Sequence, residues 1–350
     1  MKEFIVENLR KMIDIDSESK GDMAEIIEFT TSLLDDIGLK CRVLKGDEFN
    51  PVIIASHGKG GICFSGHLDT VPLGDGWKHE QGEIEDGKIY GRGSLDMKGP
   101  CVAVIAAAKK LIEKDVPFSL IFTTDEEVSM NGALEAASEP EITEAPAVVV
   151  AEPTAKLVVT QEKGVYQFEI VTKGKNAHAS MPEKGDNAIM KMVPIIKNLA
   201  SKGTSPATKD EMTCSVNVIK AGSATNVIPK KCKAEVDVRF PPSFSRAELE
   251  DHLFGDITEE YELNVIQYLD AVKTDEDMDC VKKMLEIADT DLWSVPYGTE
   301  MVRFNEYNKN TFIFGPGKVS SAHQPDEFID LFHLYEIVDI YVEYAEAMMK

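Results

Sequence analysis

Apolar residues along the chain recur first at helical and then at strand spacing. Phe4, Ile5, Leu9, Met12 and Ile13 share one helical face and predict a first helix ending near Ile15. A second, from about Asp22 to Leu34, buries Ile26, Ile27, Phe29 and Leu33 and is broken by Gly38. Short β-like runs follow at Cys41–Leu44, Pro51–Ala55 and Gly61–Ser65, the last leading into Gly66-His67-Leu68-Asp69-Thr70. Gly82–Tyr90 has the pattern of a hairpin turned at Asp86-Gly87. Pro100 suits the first position of a buried, Ala- and Ile-rich helix over Val102 to about Lys114. Phe118–Thr123 and Ala147–Ala151 are continuous apolar runs, the signature of strands covered on both faces.

After about Gln161 the pattern changes. Val165–Val171 alternates, as a strand with one open face does. Then come a helix over about Asn187–Leu199, strands near Thr213–Val218 and Ala234–Phe240, a helix near Arg246–Phe254 and a strand near Leu263–Gln267. That succession is β-α-β-β-α-β, the split ferredoxin-like order. A helix around Met278–Ile287, the strand Thr311–Phe314 and a terminal helix over about Asp330–Met348 return to the first pattern. The expected organisation is a catalytic α/β domain in two stretches, 1–163 and 273–350, around an inserted α+β domain at 164–272, with a hinge near Gly164 and Val272.

Composition narrows the possibilities. With 350 residues, 43% hydrophobic and 28% charged, the chain can build a large core. Its 61 acidic against 37 basic residues, a formal charge of −24, argue against nucleic acid or an anionic membrane as partner. Six cysteines lie scattered without a C-x-x-C pair, so a zinc finger is excluded and reduced thiols in a cytoplasmic protein are expected. The amphipathic, acidic N-terminus is unlike a secretory signal, and no apolar run approaches about 18 residues.

Chemistry-bearing residues gather at strand ends. His67-Leu68-Asp69 is either an imidazole ligand with an orienting carboxylate or a chance neighbourhood. The glycine-rich Gly91-Arg92-Gly93-Ser94-Leu95-Asp96-Met97-Lys98-Gly99 fits neither phosphate-loop spacing, and its Asp96 suits a metal ligand or a helix cap equally well. Asp125-Glu126-Glu127 follow one buried strand and Glu152 another. Three consecutive carboxylates there repel one another unless a metal or a basic cluster balances them. His323 follows a later strand. In an open α/β sheet, one crevice at the carboxyl ends of the strands can collect all of these.

The ordered motifs Gly66-His67-Leu68-Asp69-Thr70, Gly91-Arg92-Gly93-x-x-Asp96-Met97-Lys98-Gly99, Asp125-Glu126-Glu127, Glu152-Pro153-Thr154 and Ala322-His323-Gln324-Pro325 resemble the M20 metallopeptidases and amino-acid deacylases over nearly the whole chain. The resemblance implies a zinc-dependent exopeptidase-like catalytic domain with a mixed central sheet, plus a ferredoxin-like lid and dimerisation domain. It implies two Zn²⁺ per subunit, with Co²⁺ as a substitute: His67 and Glu152 hold one, Glu127 and His323 the other, and Asp96 bridges them. By the same resemblance Glu126 is the general base and Asp69 orients the ring of His67. His178, in Asn176-Ala177-His178-Ala179-Ser180-Met181-Pro182, would stabilise the oxyanion, in its own or the partner subunit. Arg239 would grip a substrate carboxylate and Asn226 the substrate or its oxyanion, each with a plain surface residue as the alternative. Gly298-Thr299-Glu300, together with Gly315-Pro316-Gly317 and Ala322-His323-Gln324-Pro325-Asp326-Glu327, looks closer to the acetylornithine deacetylase branch and makes Glu300 a candidate for the substrate's side-chain or α-amino group. The implied activity is removal of the acyl group from an N-acyl amino acid by a cytoplasmic homodimer in arginine or lysine biosynthesis. Succinyl-diaminopimelate desuccinylase or a related deacylase of lysine or ornithine biosynthesis, an M20 carboxypeptidase or dipeptidase, and a non-catalytic, metal-stabilised binding protein are the alternatives.

Overall fold

A computed structural model describes residues 1–45, 50–204 and 208–350. The chain divides into two compact units, one of residues 1–160, 274–293 and 299–350, the other of 161–273 and 294–298.

The first unit is organised by a mixed sheet. Its strands lie in the order Cys41–Leu44, Val52–His57, Phe118–Thr123, Ile62–His67, Val148–Val150, Thr311–Ile313 and then Val158–Glu162, whose first three residues belong here. The four from Phe118–Thr123 to Thr311–Ile313 run parallel, so their carboxyl ends share one edge. Every residue of Ile62–His67 and Phe118–Thr123 is buried, as the unbroken apolar runs require. Phe64, Phe118, Leu120 and Phe122 join a core with the helices Lys2–Asp14, Lys98–Glu113, Asp279–Ala288 and Leu331–Met348. Cys63 and Ile121, the alternate residues, lie outside that cluster, since successive side chains leave opposite faces of a strand.

Several expectations need adjustment. The buried helix begins at Lys98, with Pro100 inside its first turn. Helices Asn131–Ala136, Pro140–Thr143 and Met301–Tyr307 and the strand Val158–Glu162 had no counterpart in the pattern. The hairpin turns at Asp86 and Gly87, both at positive φ, and pairs Ile84 with Ile89. Phe328–Asp330 adds a third strand to it, antiparallel to Lys88–Tyr90. This small sheet brings residues 323–327 beside residues 91–96.

The second unit is an antiparallel sheet in the order Thr213–Ala221, Lys231–Phe240, Gly164–Lys173 and Glu262–Leu269, with the helices Ala188–Lys202 and Arg246–Phe254. Tyr166, Phe168 and Ile170 pack with Ala188, Met192, Ile195 and Leu249 in a core of their own. Asn187 caps the first helix through its side chain, and Ser245 with Glu248 forms a capping box on the second. Glu162 pairs with Val272, so the unit's long segment enters and leaves side by side. Residues 294–298, assigned from the pattern to the last catalytic stretch, group with this unit, where the Val295 carbonyl accepts the Lys163 N–H.

Candidate active site

His67 is the last residue of its strand and is almost fully buried. At Gly66, just before it, an added Cβ would lie 2.8 Å from Met97 Cε and 2.9 Å from Cys101 Sγ, so a larger residue there would have to displace those side chains. The ring's Nδ1 lies 2.9 Å from the Asp69 backbone carbonyl and 3.4 Å from that residue's carboxylate. A carbonyl only accepts, so Nδ1 carries a proton and Nε2 is the nitrogen that faces the other way. Nε2 lies 3.2 Å from Asp96 Oδ1 and 3.5 Å from Glu152 Oε1.

The other oxygen of Asp96 faces a second imidazole. His323 Nε2 lies 3.3 Å from Asp96 Oδ2 and 2.9 Å from Glu127 Oε1. His323 has positive φ and is half exposed, whereas Asp96 and Glu152 are buried. The geometry thus gathers His67, Asp96, Glu127, Glu152 and His323 at one edge of the sheet. The carboxyl of Glu126 joins His67 and Glu152, all three ligand atoms within 4.8 Å of one another; His67, Asp96 and Glu127 form a second such group.

Electrostatics confirm how crowded this edge is. Burial, and then the carboxylates of Glu152, Glu127 and Asp96, push Glu126 well above the usual carboxylate range. Glu152 is raised likewise, by burial and then Asp96. Burial opposes charge on the His67 ring, but Asp69, Asp96 and Glu152 outweigh it and raise the ring well above its ordinary value. Hydrogen bonds that its ring donates to the Asp96 and Glu127 carboxylates raise His323 to about 10. Two carboxyls held toward protonation beside two imidazoles held toward charge make a dense set of oxygen and nitrogen donors of the kind a divalent cation takes. Two imidazole nitrogens with carboxylate oxygens match borderline ions such as Zn²⁺ and Co²⁺.

Asp69 does more than face the ring. Its carboxylate accepts the backbone N–H of Glu126 at 3.1 Å, that of Glu127 at 3.3 Å and the Ser19 hydroxyl at 2.6 Å. Asp125 turns away to its own loop, taking the Asn131 and Gly132 N–H and the Ser129 hydroxyl. Of the three consecutive acids, then, Asp125 needs no cation.

Glu300 differs from expectation. It is fully buried, accepting the Thr123 hydroxyl and, at 3.4 Å, the Ser65 hydroxyl. It supports the ends of two sheet strands from within the core and has no surface to offer a substrate's amino group. Sequence reasoning also passed over Ser19, Arg92 and the role of Glu327. Glu327 lies four residues after His323 and takes the backbone N–H groups of Leu95 and Asp96. Only its place beside the histidine motif hinted at it.

Within the second unit, His178 and Asn226 come from neighbouring segments: His178 bridges to Val227, and Ala179 N–H donates to the Asn226 carbonyl. Both residues are exposed. Nδ1 of His178 lies 3.2 Å from the Ser180 N–H and 2.8 Å from its hydroxyl. Arg239 donates from Nε at 2.8 Å and Nη2 at 3.0 Å to the two oxygens of Asp237. Asp237 is held in turn by Gln167 at 2.7 Å.

Comparison with known proteins follows the same lines. The model of Peptidase family M20/M25/M40 matches residues 63–347, and the chain belongs to that family. A probable succinyl-diaminopimelate desuccinylase of Staphylococcus epidermidis is 25% identical, covering 98% of this chain and 97% of its own. An acetylornithine deacetylase of Myxococcus xanthus is 28% identical, covering 89% and 84%. Among solved structures, an M20 metallo-carboxypeptidase of Sulfolobus solfataricus superposes with a TM-score of 0.78 at 18% identity, covering 98% of both chains. A Bacillus subtilis protein described as a dinuclear metal-binding M20 peptidase does so at 0.74 and 17% identity, covering 98% of this chain and 97% of its own. The chain is a hydrolase of amide bonds.

Proposed function

We propose that the chain is a two-zinc amidohydrolase that removes the acyl group from an N-acyl amino acid, most like an acetylornithine deacetylase. One observation carries the assignment: the two oxygens of Asp96 face separate imidazoles, each with a further carboxylate beside it. His67 and Glu152 would hold one Zn²⁺, Glu127 and His323 the other, with Asp96 between. When bound, such a pair polarises the scissile carbonyl and acidifies the attacking water.

The residues of the chain supply the rest. Glu126, raised by burial and its neighbours, takes a proton from the attacking water and delivers it to the leaving nitrogen. Asp69 fixes where Glu126 stands by holding its N–H. Ser180 N–H occupies Nδ1 of His178, so the neutral ring keeps its proton on Nε2, the form that donates to a developing oxyanion. Arg239, held flat by Asp237, receives a substrate carboxylate, and Asn226 adds a hydrogen bond.

The second unit is assigned the roles of lid and homodimer contact. Met190 and Val193 are exposed on one of its helices and Ile219 on an edge strand, which supports a covered face in the assembled protein. Among the described residues no helix is long and apolar enough to cross a membrane. The free cysteines and the biosynthetic names of the relatives support a cytoplasmic enzyme of arginine or lysine biosynthesis.

The desuccinylase names among the relatives favour succinyl-diaminopimelate as the second substrate to try. An assay of N-acetylornithine, N-succinyl-diaminopimelate and a dipeptide panel, with Zn²⁺ or Co²⁺ added, decides between them. Efficient turnover of N-acetylornithine is expected. Turnover of another member with none of the first removes the specific assignment, and cleavage of dipeptides alone moves the chain to the peptidases.

A further inference from the structure

Asp96 and His323 lie on two segments far apart in sequence, and one residue ties those segments together. Glu327 is fully buried. Its Oε1 accepts the backbone N–H of Leu95 at 3.0 Å and of Asp96 at 3.1 Å. Its Oε2 receives Nη1 of Arg92 at 2.5 Å. Its own backbone carbonyl accepts the Gly91 N–H at 2.9 Å and the Ser94 hydroxyl at 3.3 Å. Thus one residue, four positions after His323, engages Gly91, Arg92, Ser94, Leu95 and Asp96.

Arg92 is also buried, lies 5.4 Å from the Trp77 ring centroid, and gives Nη2 to the Leu73 carbonyl. A buried ion pair of this kind is weak evidence for stability, because desolvating both charges offsets their attraction. Well-packed apolar side chains would fill the same space. They would not supply an acceptor for two buried amides, one of them the amide of the residue that faces both imidazoles.

We propose that Glu327 is a positioning residue for the metal pair: by accepting the Leu95 and Asp96 amides it aims the Asp96 carboxylate, and through its own backbone it locks the His323 segment to the same frame. Its acceptor oxygen does this, and the charge opposite Arg92 holds that oxygen in place. The inference rests on the two-zinc assignment above.

The test compares two double variants that both remove the ion pair. R92M/E327Q keeps an oxygen for the two amides, whereas R92M/E327M does not. Each metal-free protein is titrated with Zn²⁺ against a chromophoric chelator, and its thermal unfolding is followed by circular dichroism. R92M/E327M is expected to bind at least one Zn²⁺ about 10–100-fold more weakly than R92M/E327Q, the range for groups that orient ligands, and, with two buried amides left without an acceptor, to melt lower while still folded at the temperature of the titration. Glu327→Asp, which keeps the charge but shortens the reach, is expected to lose affinity in the same direction and serves if the methionine variant does not fold. Two Zn²⁺ in the wild type, with unchanged affinities in Glu327→Asp or in R92M/E327M, overturn the role of Glu327 alone. A wild type that binds fewer than two Zn²⁺ overturns the two-zinc assignment and this inference with it.

Discussion

Asp69 and Glu126 are joined by a hydrogen bond from the Glu126 backbone N–H to Asp69 Oδ1 at 3.1 Å, across 57 residues of sequence. The residue that faces the His67 ring therefore also fixes the backbone of the assigned general base. In Asp69→Asn the amide has one oxygen where the carboxylate now serves the Glu126 and Glu127 N–H groups and the Ser19 hydroxyl. The variant is expected to keep most of its bound metal and lose about 10–100-fold in kcat. Steady-state kinetics with metal analysis of the same sample checks this, and unchanged kcat contradicts it.

Glu126 stands close enough to His67 and Glu152 to be a ligand as well as a base. Glu126→Gln keeps the shape and removes the proton acceptor. A turnover loss of about 10²–10⁴-fold with both Zn²⁺ retained is expected of a base. Loss of a metal ion from the variant would make Glu126 a ligand instead.

Arg239 has its donors directed by Asp237. Arg239→Ala is expected to raise KM for N-acyl amino acids by about 10–100-fold, the worth of a charge-assisted contact at roughly 1.5–3 kcal/mol. kcat should change less. Kinetics against a substrate amide lacking the free carboxylate gives the control, for which wild type and variant should converge.

Much of this site was legible because strands covered on both faces leave continuous apolar runs, and a carboxylate or imidazole directly after such a run marks a sheet edge. His67, Glu126, Glu127 and Glu152 were readable in that way. The hairpin was readable from Asp86-Gly87, but its third strand, Phe328–Asp330, is three residues long and shows no periodicity. Met301–Tyr307 escaped notice because a helix this short has under two full turns of pattern. Glu300 was misread because its charge is visible in sequence and its burial is not. The work of Glu327 was hidden for a related reason: its side chain serves backbone amides more than 230 residues earlier, and amides carry no sequence signature.

Glu300 gives a pH signature. Burial pushes its carboxyl from 4.5 up to about 7. An acid raised in the folded state contributes stability that is full below about pH 4.5 and lost as pH rises through about 7. The displacement corresponds to at most about 3 kcal/mol. In the metal-free protein, Glu300→Gln should therefore gain on the wild type by up to that amount between pH 5 and pH 8. Urea unfolding at the two values measures it, and a constant difference contradicts the burial argument.

The most direct measurement is hydrolysis of N-acetylornithine by metal-stripped protein as Zn²⁺ is added back. Activity is expected to be absent at the start and to reach its maximum at two equivalents per chain, with His67→Ala failing to recover. Full activity in the stripped protein, or full recovery by His67→Ala, would contradict a two-metal centre built on Asp96.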